Sequence, residues 1–175
     1  MAEKEVVDSP QRLNKKTLET IYSEVVKRYD RELERTANLD GKANNIIGFV
    51  GILTGIISGF GAFTLKAPTN YAEYATVVFF IMSLLFLFSS FLIGLKSYFP
   101  KKFTIVPEPF FLIGKYEHTN EEQTIRDLSD NYAVAIDENM KINNCKSTNV
   151  KRAVWCLFVS IVLFSLFALG LAFSK

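Results

Sequence analysis

The chain has 175 residues, a formal net charge of only +2 and 49% hydrophobic residues, a balance that excludes a strongly basic nucleic-acid-binding face. It has a single histidine, His118, and two cysteines, with no CxxC or Cys/His cluster, so the sequence offers no metal centre. Cys145 and Cys156 are unsuited to a structural disulfide, because positions so spaced on one helix lie roughly 16 Å apart.

In chain order, residues 1–11 read as a leader in which Asp8-Ser9-Pro10 resembles a helix-start signal. From about Leu13 the pattern predicts a helix. Leu18, Ile21, Val25, Tyr29 and Leu33 recur at steps of three and four, with Lys27, Arg28, Arg31, Glu32 and Glu34 around them. Residues 38–45 are rich in Asn with one Gly, a polar stretch of weak helix propensity. Residues 46–65 then hold no Asp, Glu, Lys, Arg or His. About twenty such residues suffice for a helix to cross the hydrocarbon core. The forty-five polar residues before this stretch mark it as a span rather than a cleaved signal. Within it Gly51, Gly55 and Gly59 stack at steps of four, a ridge that lets another helix approach closely in lipid.

A second charge-free stretch, 75–95, is crowded with Phe79, Phe80, Phe86, Phe88 and Phe91 and offers Ser83, Ser89 and Ser90. Pro100, Pro107 and Pro109 then predict an extended strap. Within the strap, residues 103–106 have strand propensity but no evident partner. After Asn120-Glu121-Glu122 a second amphipathic helix is expected, with Ile125, Leu128, Tyr132, Ile136 and Met140 on one stripe. Residues 139–149 turn polar, and 153–173 form the third charge-free stretch.

The expected fold is therefore all-α, an integral membrane protein with three transmembrane helices and a cytoplasmic two-helix stalk. Its segments are a cytoplasmic helix (1–45), two spans (46–95), a cytoplasmic strap and helix (96–152) and a third span (153–173, with the tip to 175). Each member of the second stripe lies 107 residues after its counterpart in the first, and the first and third spans begin the same distance apart, at Ile46 and Ala153. Helices that enter from one side run parallel, so the two stripes are expected to face each other at equal heights. Nine Lys/Arg precede the first span and nine lie between the second and third, against Lys66 and Lys175 elsewhere. That asymmetry places the N-terminus in the cytoplasm and the C-terminus outside. Tyr71 and Tyr74 suit the outer interface, and Tyr98, Phe99 and Trp155 the inner one.

The spans lack the mid-membrane ionisable groups that ion-coupled transporters and proton pumps use. No GxSxG, P-loop or HExxH motif occurs, and His118 sits in a loop. The chain is read as no enzyme, with no cofactor. Asp40 and Lys146 lie six and seven residues before their spans, nearly level in a polar neck able to bind a ligand or transmit movement to the spans. A membrane effector, a membrane-anchored scaffold whose stalk recruits a cytosolic partner, and a small constitutive channel all fit these features.

Asp40-Gly41-Lys42-Ala43, followed by Gly48-Phe49-Val50-Gly51-Ile52-Leu53, resembles the D-x-K-A…G-x-x-G-I-L entry of small prokaryotic membrane proteins. These include the transmembrane effectors of the pyrimidine-cyclase (Pycsar) antiphage systems. Asn139 followed by Lys146 is similar to the N-x6-K pattern of the same group. The resemblance implies an effector that perturbs membrane integrity after a cyclic nucleotide binds its cytosolic part, and a homo-oligomeric pore in the bilayer is the form expected for that role. It adds Lys42 and Asn139 to Asp40 and Lys146 as residues of the neck.

Overall fold

The computed structural model describes residues 14–64, 68–99, 102–106, 114–116 and 119–173. The leader, His118 and the strap prolines lie outside these residues. Three long helices dominate: α1 (Lys15–Thr64), α2 (Tyr71–Tyr98) and α3 (Glu121–Phe173). Among the described residues there is no strand. All three helices are long and apolar enough to cross a membrane. At about 1.5 Å per residue the 50 residues of α1 and the 53 of α3 rise about 75 and 80 Å, well beyond a hydrocarbon core of about 30 Å.

Each helix start is capped by an asparagine. The Asn14 side chain accepts from the Lys16 N–H, and that of Asn120 from the Glu122 N–H. At α2 the cap is reciprocal: Asn70 Oδ1 accepts from the Glu73 N–H at 2.9 Å, while the Glu73 carboxylate accepts from the Thr69 N–H and hydroxyl. Donors that lack an intrahelical partner are thereby satisfied before the apolar run begins. The Asn- and Gly-rich stretches before the first and third spans are helical throughout, and no glycine among the described residues has a positive φ. Weak propensity, roughly 1 kcal/mol for a glycine, is overridden there by side-chain pairing between α1 and α3.

The chain divides into two compact units. Their boundaries fall inside α1 and α3, after Leu33 and after Asn139, rather than at the edges of the spans.

The first unit comprises the described residues of Met1–Leu33 and Phe103–Asn139. Its core is Tyr29, Ala135 and Ile136, with Val25, Tyr132 and Val106 packed against them. Tyr132 meets Tyr29 and Tyr22 edge-to-face, at 5.3 and 5.9 Å between ring centroids. Ile21 and Leu33, expected on the buried stripe, are exposed. Tyr22, one position on from Ile21, makes the contact instead, because its ring reaches Tyr132. Lys15 pairs with Glu121 at 2.8 Å, and that hydrogen bond and charge raise the lysine pKa. Burial, and secondarily Tyr22, raises that of Tyr132. Both groups are held in their protonated forms, so both contributions are complete at neutral pH and are lost only as pH climbs through the raised values.

The second unit comprises Glu34–Lys102 and Met140–Lys175. Here α1 and α3 run parallel and α2 runs antiparallel to both. The core takes Leu39, Ala43, Ile46, Val50 and Ile57 from α1, Phe80 and Leu87 from α2, and Val150, Ala153 and Phe167 from α3. In lipid, apolar area alone gives helices no drive to associate, so close approach and hydrogen bonds must supply it. Ser83, Ser90 and Ser97, each fully buried, supply both. Ser90 Oγ donates to the Ala153 carbonyl at 2.8 Å and Ser97 Oγ to the Lys146 carbonyl at 3.2 Å. Ser83 and Ser160 exchange hydroxyl-to-carbonyl bonds at 3.0 and 2.9 Å. Thr76, one heptad before Ser83, is the fourth buried member of the row, and a Cβ at Gly170 would come within 2.6 Å of its hydroxyl oxygen.

Candidate functional site

Four residues singled out from sequence fall into both units. Asn139, in the first, is fully buried. Its Oδ1 accepts from the Thr104 N–H and its Nδ2 donates to the Thr104 carbonyl, both at 3.1 Å. The carboxamide thus reproduces a neighbouring peptide group, and it is the partner that the extended segment 102–106 lacks in sequence. Thr104 Oγ1 also donates to the Glu138 carboxylate. One residue therefore ties the segment to α3 by backbone and side chain together.

Asp40, Lys42 and Lys146 belong to the second unit. Lys146 is only 1% exposed, an unusual place for an ammonium, and its Nζ donates to Asp40 Oδ1 at 2.6 Å. The Asp40 side chain is 34% exposed, so one partner is dry and the other touches solvent. Lys42 is exposed and, two residues on from Asp40 in a helix of 3.6 residues per turn, starts from nearly the opposite face of α1. Around the pair stands a polar layer. Thr36 Oγ1 donates to Asn143 Oδ1 at 3.0 Å, a bond spanning 107 residues, and Arg35 donates to Asn144 at 2.9 Å. Asn143 is fully buried, and Asn149 is 7% exposed with its Nδ2 unpartnered among the described residues. A buried donor of this kind is costly unless an acceptor meets it. Sequence reasoning named Asp40 and Lys146 but not the open amide of Asn149. No residue pattern distinguishes Asn149 from its solvated neighbours.

The glycine ridge is placed differently from the contacts that hold the unit together. A Cβ at Gly51, Gly55 or Gly59 would meet nothing within 4 Å, so among the described residues no neighbouring helix rests on them. Gly51 instead borders a groove of about 480 Å³ lined by Val50, Thr54, Leu84, Leu87, Phe88 and Phe91. The glycines that face a neighbouring helix are Gly61, where a Cβ would clash with the Phe80 ring, Gly170 against Thr76, and Gly94, where a Cβ would lie 3.4 Å from Ile47. Gly94→Leu is expected to lower unfolding stability in detergent by about 1–3 kcal/mol through overpacking, and Gly55→Leu to leave it unchanged. An equal loss in both variants would mean that the ridge is packed within the chain after all. Among the described residues no group of three His, Cys, Asp or Glu could hold a metal.

Three membrane-length helices, joined by a buried serine ladder and opening onto a polar layer with a buried ion pair, define a multi-pass membrane protein with its charged chemistry gathered at one end of the spans. The Pycsar effector protein domain, PycTM, matches residues 24–174. The chain belongs to that family, and is a transmembrane effector of antiphage defence. No curated protein and no solved structure gave a match.

Proposed function

We propose that the protein perturbs membrane integrity as a homo-oligomer when a cyclic pyrimidine nucleotide reaches its cytosolic part. The observation that carries this reading is the Lys146–Asp40 pair buried where the three apolar helices turn polar. Well-packed apolar residues would hold such a layer at least as firmly. An ion pair with one partner at the solvent is suited instead to being rearranged by a charged ligand. Asn149 supports the same reading, as a buried donor that a ligand acceptor could satisfy. The open glycine ridge supports association with further copies, since it leaves helix backbone accessible in lipid. The Lys/Arg distribution supports a cytoplasmic N-terminus and an outer C-terminus.

The test is membrane potential, read with a dye in cells carrying matched levels of wild type, Asp40→Ala or Lys146→Ala, with and without an active pyrimidine cyclase. Wild type should depolarise the membrane when the cyclase is active. The variants should insert normally, since neither residue lies in hydrocarbon, and depolarise less. A wild-type protein that never depolarises would overturn the effector reading and favour a scaffold. Equal depolarisation in all three would remove the ion pair as the switch.

A further inference from the structure

The second unit carries a ring of cations that the ion pair does not use. Ser97 bonds the Lys146 carbonyl and Lys146 bonds Asp40, which places these three residues at one level on the three helices. Counted from that level toward the spans, Lys42 is two residues along α1, Lys96 one residue along α2, and Lys151 and Arg152 five and six residues along α3. At about 1.5 Å per residue all four fall within about 9 Å of height. All four are exposed, and none makes an ion pair or hydrogen bond through its side chain among the described residues.

The surrounding sequence leaves them uncompensated. Between Asp40 and Glu73, between Glu73 and Glu108, and after Glu138 there is no Asp or Glu. Among the described residues Asp40 is the carboxylate nearest this level, and Lys146 holds it. Exposed rings stand beside the cations: Tyr98 and Phe99 at the end of α2, and Trp155 three residues past Arg152. Cations and amphipathic rings at the boundary between a polar layer and an apolar one match the headgroup region of a bilayer, where phosphates lie within reach of lysine and arginine side chains.

We propose that Lys42, Lys96, Lys151 and Arg152 form a collar that binds anionic phospholipid headgroups through their phosphates. The collar takes residues from all three helices of the unit, so bound headgroups bridge helices that are otherwise joined by the apolar core and the buried serines. The lipid thereby stabilises the bundle as well as retaining it. This goes beyond the effector reading and does not depend on it, because the binding is a property of the resting protein.

The experiment uses the full-length protein in detergent, where membrane topology does not enter the readout. Its thermal midpoint is followed as phosphatidylglycerol, phosphatidylcholine, inorganic phosphate or a cyclic pyrimidine nucleotide is added. Phosphatidylglycerol is expected to raise the midpoint of wild type in a salt-sensitive manner, while the other three leave it unmoved. Apparent affinity for phosphatidylglycerol should fall about fivefold for each charge removed, first in Lys42→Gln and then in Lys96→Gln/Lys151→Gln/Arg152→Gln. The charge-conserving set Lys96→Arg/Lys151→Arg/Arg152→Lys should respond as wild type does, which separates charge from packing. Equal stabilisation by phosphatidylcholine, or a full response in the glutamine variants, would overturn the proposal. A response to inorganic phosphate or nucleotide alone would also overturn it, by making the collar a site for free anions.

Discussion

Asp40→Ala is expected to destabilise the second unit by about 3 kcal/mol, and Lys146→Met by about 1 kcal/mol or less. The inequality follows from the burial of the two partners. Removing Asp40 takes the carboxylate from the ammonium of Lys146, which is 1% exposed. Removing Lys146 leaves a carboxylate that already touches water and can be hydrated. Methionine keeps much of the lysine stem's volume, so the cavity cost is small. The check is a double-mutant cycle by thermal unfolding in detergent. The double variant Asp40→Ala/Lys146→Met should be more stable than Asp40→Ala alone, because the buried charge has gone. A larger loss in Lys146→Met than in Asp40→Ala would show that the pair is not organised around a buried cation.

The spans were legible because charge is absent from them, a signal that needs no knowledge of packing. Within the second unit Thr36 and Asn143, 107 residues apart like the starts of the first and third spans, share a hydrogen bond. Within the stripes, reading by residue type misassigned Ile21. Apolar character does not decide between neighbouring positions when an aromatic ring one step away can reach further.

The serine row could have been seen. Thr76, Ser83, Ser90 and Ser97 are spaced by strict heptads. Against sixteen phenylalanines in the chain they read as incidental polarity, whereas their value lies in small size and a donor hydroxyl. The glycine ridge leaves its partner open: a Cβ at Gly51, Gly55 or Gly59 meets nothing within 4 Å, while Gly61, Gly94 and Gly170 lie against neighbouring helices. Regularity marks a surface that can be approached, and only the fold decides which approach is taken within the chain. The Asn139–Thr104 link had no local signal, since a carboxamide and a peptide group 35 residues apart are joined by a route through prolines.

That link carries the other large expected effect. Asn139→Asp changes one atom type, preserving the acceptor for the Thr104 N–H and deleting the donor to the Thr104 carbonyl. The new carboxylate would sit at a position with no solvent exposure, beside a carbonyl oxygen that repels it and close to Glu138 on the same helix. Loss of one bond and burial of a charge together should cost several kcal/mol at neutral pH, about 2–4 kcal/mol on the scale of buried polar groups. The same environment raises the pKa of the introduced acid in the folded state, so the penalty should shrink as pH falls through that raised value, where the protonated form can again donate to Thr104. Asn139→Ala removes both bonds without burying charge, and its loss should be smaller and independent of pH. Amide hydrogen exchange at Thr104 and tryptic cleavage at Lys102 report the segment directly. Both should be slow in wild type and faster in Asn139→Ala. In Asn139→Asp they should be fastest at neutral pH and partly restored toward wild type on acidification. Exchange at Thr104 that is as slow in Asn139→Asp as in wild type at neutral pH would show that the segment is held by Val106 and the tyrosine cluster and not by the carboxamide.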